Sequence, residues 1–167
     1  CPGFYMWAIH AELLLDTYTG AAAAYSVRKL NKDYVGNCMR VRRSSDEATQ
    51  DIGFDGNGDL DTAAIATFCS GAYGYVSRWY DQSGNGNDAT QNTGSSQPMI
   101  YDRVAAAVVT ENGKPAIDFD ATSLTTAQIW PQGSSDRAYS MVAKPNNNSN
   151  RWMLVHGQNG TATHFII

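Results

Sequence analysis

The chain has 167 residues, enough for one domain with a substantial buried core. Charged residues make up 17% of it, below the usual level of about 25%, and the net charge of −4 argues against a dedicated nucleic-acid binder, which carries a basic stripe. Four Trp, nine Tyr and five Phe are too many aromatic residues for a disordered chain, and no apolar run approaches the roughly 20 residues of a membrane-spanning helix.

Residues 1–12 read as a lead-in or linker with no basic leader region, which suggests a processed or incomplete chain. Residues 13–15 are a short extended or helical opening, and Tyr18-Thr19-Gly20 marks a turn. Residues 21–30 (AAAAYSVRKL) start with strong helix formers and end in cations, which predicts a helix. Residues 39–43 (MRVRR) alternate apolar and basic side chains, the period of a half-exposed strand, and residues 48–54 form a second candidate strand. Asp55-Gly56-Asn57-Gly58-Asp59 is a turn, after which Asp61 can cap a short helix running to about Phe68.

From Gly71 onward the punctuation is that of a β protein. Strands are expected over residues 75–80, 98–102, 106–110, 139–143, 151–156 and 163–167, with a tight loop at Gly84-Asn85-Gly86-Asn87. Asn112-Gly113, set between Val108-Val109 and residues 116–119, is a strong hairpin signal. Residues 145–150 are an Asn-rich loop, and Asn159-Gly160 opens a further turn. Cys1, Cys38 and Cys69 are an odd number at no zinc spacing, so one bridge plus a thiol and three buried thiols are equally open. His10, His156 and His164 also lack metal-ligand spacing. Asn147 and Asn159 sit in glycosylation acceptor patterns that mark exposed loops.

Three constellations can carry chemistry. In the segment 79–88 (WYDQSGNGND), Asp81, Gln82, Asn85 and Asn87 could grip sugar hydroxyls beside a Trp79 or Tyr80 platform. The same residues also suit a plain turn, in which Asp and Asn bond nearby backbone amides and Trp79 belongs to the core. Asp55, Asn57, Asp59 and Asp61 place oxygens at alternate positions like the start of a calcium loop, so Ca²⁺ is the one cofactor considered. Leu60 stands where that loop needs Gly, the closing Glu is missing near Phe68, and a polar turn with a capped helix explains the pattern without an ion. Arg40, Arg42 and Arg43, with Arg28 and Lys29, are the main basic concentration. They suit an anionic ligand or a solvated strand face paired with Asp46, Glu47 and Asp51.

The stretches LLLDTYTGAAAAYSVRKL (13–30), MRVRRSSDEATQDIGF (39–54), RWYDQSGNGNDATQ (78–91) and NGKPAIDFD (112–120) resemble the N-terminal half of the arabinofuranosidase B catalytic domain, glycoside hydrolase family 54. They also resemble a relative in bacteriophage and bacterial surface proteins that heads a concanavalin-like (laminin-G-like) jelly roll. The resemblance covers about residues 13–120 and implies a mostly β jelly-roll sandwich with short helices near its start, which the strand pattern continues to residue 167; the stop in Phe165-Ile166-Ile167, inside an apolar strand, suggests a C-terminally incomplete domain or a terminal strand docked in its own sheet. Retaining glycosidases need two carboxylates about 5 Å apart. The family's catalytic segment, with its double cysteine, is not found here. After Glu111 the acids are Asp118, Asp120 and Asp136, none in a family motif, so no catalytic residue is carried over.

The expectation drawn from this is a non-catalytic recognition or structural module displayed on a virion or outside a bacterial cell. It would contact a glycan, other copies of itself or other virion and surface proteins, with no nucleic acid and no membrane span. The alternative is the N-terminal part of an arabinofuranosidase-type retaining glycosidase.

Overall fold

The computed structural model of the protein describes residues 12–127 and 138–144, and the backbone of residues 163–165. The expectations placed on residues 1–11, on strand 151–156, on the loop 145–150 and on Asp136, Asn147, His156, Asn159 and Gly160 lie outside the described residues.

The elements in chain order are α1 (Leu14–Thr17), β1 (Met39–Arg43), β2 (Thr49–Ile52), α2 (Thr62–Phe68), β3 (Gly74–Trp79), β4 (Ala89–Thr90), β5 (Met99–Asp102), β6 (Ala107–Val108), β7 (Thr110–Glu111), β8 (Lys114–Pro115), β9 (Leu124–Thr126) and β10 (Thr163–Phe165). The fold class is the expected one: mostly β, with antiparallel strands and few short helices, consistent with a β-sandwich. The main sheet runs β10-β9-β4-β3-β1-β2, and β5 shares the edge of β3 with β4 and carries β6.

Alternation along β1 explains how the sheet sits. Met39 and Val41 are fully buried, while Arg40 and Arg42 face away from the core. Met39 and Val41 join Ile52, Val76, Ala89 and Leu124, and Ile65 of α2 and Ile100 of β5 complete the same cluster. α2 begins as the sequence predicts, with the Asp61 carboxylate accepting from Ala64 N–H at 2.9 Å. The Asn112-Gly113 hairpin also forms. Both residues have positive φ (49° and 73°), as a two-residue turn with the twist of its flanking strands requires. Its register pairs Thr110 with Pro115 and Glu111 with Lys114.

Two expectations are corrected. Residues 138–144 form no strand, and Val142 is wholly exposed. Residues 21–30 form no helix but an irregular strap across the end of β3. A ten-residue helix gains little from propensity alone. The strap instead buries part of Tyr25 and Val27 against the core and takes its backbone hydrogen bonds from elsewhere in the chain.

Candidate functional site

Most of those partners come from residues 79–88, the segment singled out from the sequence, with Gly58, Leu60 and Leu15 supplying others. Asp81 is 4% exposed. Its Oδ1 accepts from Ala24 N–H and Ser83 N–H, both at 2.8 Å. Its Oδ2 accepts from the Ser83 hydroxyl at 2.7 Å and Asn87 N–H at 3.0 Å. Gln82, 1% exposed, accepts from Leu30 N–H at 2.8 Å and donates to the carbonyls of Ser26 and Arg28 at 3.1 and 3.0 Å. The Asn85 amide donates to the carbonyls of Ala21 and Ala22, and the Asn87 amide to that of Ala22.

Trp79 donates its indole N–H to Ser26 C=O at 3.3 Å and packs on the Tyr25 ring, centroid to centroid 5.7 Å. The Tyr25 hydroxyl donates to Asn87 C=O, and burial pushes its pKa up to about 12. Tyr80 turns the other way and donates to Asp51 Oδ1 at 2.7 Å. The six residues are thus brought together at the strap end of β3, and five of them bond to the strap backbone or to the turn itself.

Asp55 Oδ1 accepts from Asn57 N–H at 2.8 Å and Asp59 N–H at 3.0 Å, while Asp61 caps α2. Among the described residues no group of three or more His, Cys, Asp or Glu side chains could hold a metal ion.

Arg40 and Arg42 lie on the face of β1 turned away from the core, while Arg43, on the Met39 and Val41 side, reaches the end of α2. Arg40 forms a two-pronged pair with Asp51 at 2.7 and 2.9 Å. Arg42 reaches Glu47 and Gln97 and lies over the Tyr75 ring at 5.1 Å. Arg43 pairs with Asp46 and with Phe68 C=O. Hydrogen bonds from Arg43 hold the Asp46 carboxyl below its ordinary pKa, and those from Arg40, with a smaller contribution from Tyr80, do the same for Asp51. A glycosidase acid must stay protonated near its working pH, which calls for the opposite shift. Asp46 and Asp51 are therefore built as ion-pair partners.

Sequence reasoning missed an open cleft of about 900 Å³ between α1, residues 28–37 and residues 53–58. Its walls come from three separate chain segments, so no local spacing announces it. Arg28 and Asn57 were visible only as members of other patterns.

A family model described as "Alpha-L-arabinofuranosidase B, catalytic" matches residues 13–159. The probable alpha-L-arabinofuranosidase B of Aspergillus fumigatus is 40% identical over 107 residues, 59% of this chain and 21% of that protein. The alpha-L-arabinofuranosidase of Hypocrea jecorina is 40% identical over 106 residues, with the same shares. The chain spans about a fifth of the length of these curated relatives. A solved GH54 arabinofuranosidase soaked with a cyclic sulfate inhibitor aligns at 34% identity and TM-score 0.43, over 47% of this chain and 17% of that one. The family match overturns the expectation of a non-catalytic surface module, because the matching model is that of a catalytic domain. The virion partners and virion location attached to that expectation lose their support with it.

Proposed function

Because the chain belongs to the alpha-L-arabinofuranosidase B catalytic family, we propose that it forms the N-terminal part of a retaining glycoside hydrolase that removes α-L-arabinofuranosyl units from polysaccharide. The observation that carries this reading is the match of the catalytic-domain model along residues 13–159, as one block rather than one motif. The glycan is then a substrate, and a polymeric substrate places the enzyme outside the cell. In this reading the residues around Asp81 and along β1 supply scaffold. The strap and the segment 79–88 fix one end of the sheet, and the arginine face is closed by its own acids. No catalytic residue is assigned, since the nucleophile and the acid/base of such an enzyme must stand about 5 Å apart, and Asp46, Asp51 and Asp81 are engaged by arginines or backbone amides.

The test is release of nitrophenol from 4-nitrophenyl α-L-arabinofuranoside by the complete protein, with the anomer of the released sugar read by NMR. Release with retention is expected. A folded, complete protein that cleaves neither this substrate nor arabinose-bearing polysaccharide overturns the proposal.

A further inference from the structure

Around Asp81 and along the arginine face the polar side chains are bonded within the chain. Around the cleft several are not. The Arg28 guanidinium and the Asn57 side-chain amide make no hydrogen bond or ion pair among the described residues, and Asp55 uses Oδ1 for its two backbone amides while Oδ2 takes none.

Beside them stands Tyr34. Its ring is half-buried and meets Phe54 edge-on at 6.3 Å, and its hydroxyl donates to Asn37 C=O at 2.9 Å. Burial pushes its pKa up to about 12. The ring is therefore fixed in place and stays neutral. A volume of about 900 Å³ lies within the range of ligand clefts, roughly 300–1,000 Å³.

Charge narrows the ligand class. Arg28, Lys29 and Lys32 on the wall are matched by Glu12, Asp16 and Asp55, so the cleft carries no net charge to attract an anion or a cation. A fixed aromatic ring next to donors and acceptors of both kinds suits a neutral ligand rich in hydroxyls, each of which donates one hydrogen bond and accepts others. We propose that this cleft binds sugar units of a neutral polysaccharide main chain, with Tyr34 as the stacking surface and Arg28, Asn57 and Asp55 Oδ2 taking the hydroxyls. The assignment deepens the reading of the protein as a polysaccharide-acting hydrolase and rests on it for the identity of the ligand.

The experiment titrates the complete protein with xylo-oligosaccharide, linear arabino-oligosaccharide and, as a charged control, oligogalacturonate. Calorimetry gives affinity, and amide NMR gives location. The neutral sugars are expected to bind with Kd on the order of 1 mM and to shift amides of residues 34–37 and 53–58. Tyr34→Ala should weaken binding by roughly tenfold and Tyr34→Phe should restore it, because the hydroxyl is turned to Asn37. Arg28→Ala and Asn57→Ala, both at exposed positions that do not threaten folding, should each weaken it by roughly threefold. Asp46→Ala, outside the cleft, should not.

Absence of saturable binding up to about 50 mM, shifts confined to other residues, variants that bind like the parent, or preference for the charged control each overturn the proposal. Nitrophenol release by the same preparation keeps the two readings apart. Hydrolysis without cleft binding removes this inference alone, and cleft binding without hydrolysis removes the proposed activity alone.

Discussion

Asp81 holds four donors while almost wholly buried, and two of them are backbone amides of its own turn. Asp81→Ala strands all four, and buried donors left unpaired cost about 1–3 kcal/mol each where no water reaches them. We expect a net loss of about 3 kcal/mol, which for a chain of this size lowers Tm by roughly 6–12 °C in a calorimetric scan. Asp51 belongs to a more exposed pair with Arg40, so Asp51→Asn should cost about 1 kcal/mol or less. Its folded pKa is depressed. The stability it contributes is therefore present above the ordinary carboxylate value of about 3.9 and is lost as pH falls through the lower folded value. In the Asn variant, the parent's extra loss of stability on acidification below about pH 4 should shrink. The sequence already showed Asp81 as a turn former and Asp51 as an arginine partner. It could not show that Asp81 reaches Ala24, because that contact spans 57 positions and leaves no local pattern.

At the scale of elements, β3 starts unusually close to its neighbours. A Cβ on Gly74 would sit 2.6 Å from Cys69 Sγ, 3.0 Å from Tyr101 Cβ and 3.3 Å from Val41 Cγ1. Gly74→Ala should destabilise by about 1–3 kcal/mol through overpacking. Cys69→Ala should cost a cavity of its own, yet the double variant should recover part of both losses. A double-mutant cycle in urea with a coupling indistinguishable from zero would refute this account of the packing. The strands and α2 were legible because each follows one local rule: alternation in β1, the Asp61 cap, the Asn112-Gly113 turn. The strap was not legible. Its alanines and terminal cations favour a helix locally, but backbone partners from Asp81, Gln82, Asn85 and Asn87 outweigh a propensity worth only tenths of a kcal/mol per residue. Residues 139–143 failed in the opposite sense: they alternate like a strand, yet none of the described strands pairs with them.

Across the whole molecule, Cys38 and Cys69 report on global opening. Both are buried free thiols, and burial raises their pKa to about 12 and about 11. Thiolate is the reactive form, so at pH 8 labelling of these two sites, followed by peptide mass spectrometry, should proceed only as fast as the fold opens. Rapid labelling of either in the native protein would contradict the packing described. Function was legible at this scale through the resemblance of residues 13–120, but the inference from it went astray. A missing catalytic carboxylate motif points by itself to a binding module, whereas the family match along residues 13–159 favours a part of a catalytic domain. The cleft stayed hidden because Arg28, Tyr34 and Asn57 become neighbours only after folding. The strap, finally, has a consequence in time. Residue 24 leaves the ribosome 57 residues before the side chain that will hold it, and at roughly 5–20 residues per second that is about 3–11 s of synthesis. For those seconds the strap is a naked segment in a crowded cell, exposed to chaperones, proteases and neighbouring nascent chains. Four consecutive alanines and only a few larger apolar side chains suit such a wait, since they offer little for another chain to grasp.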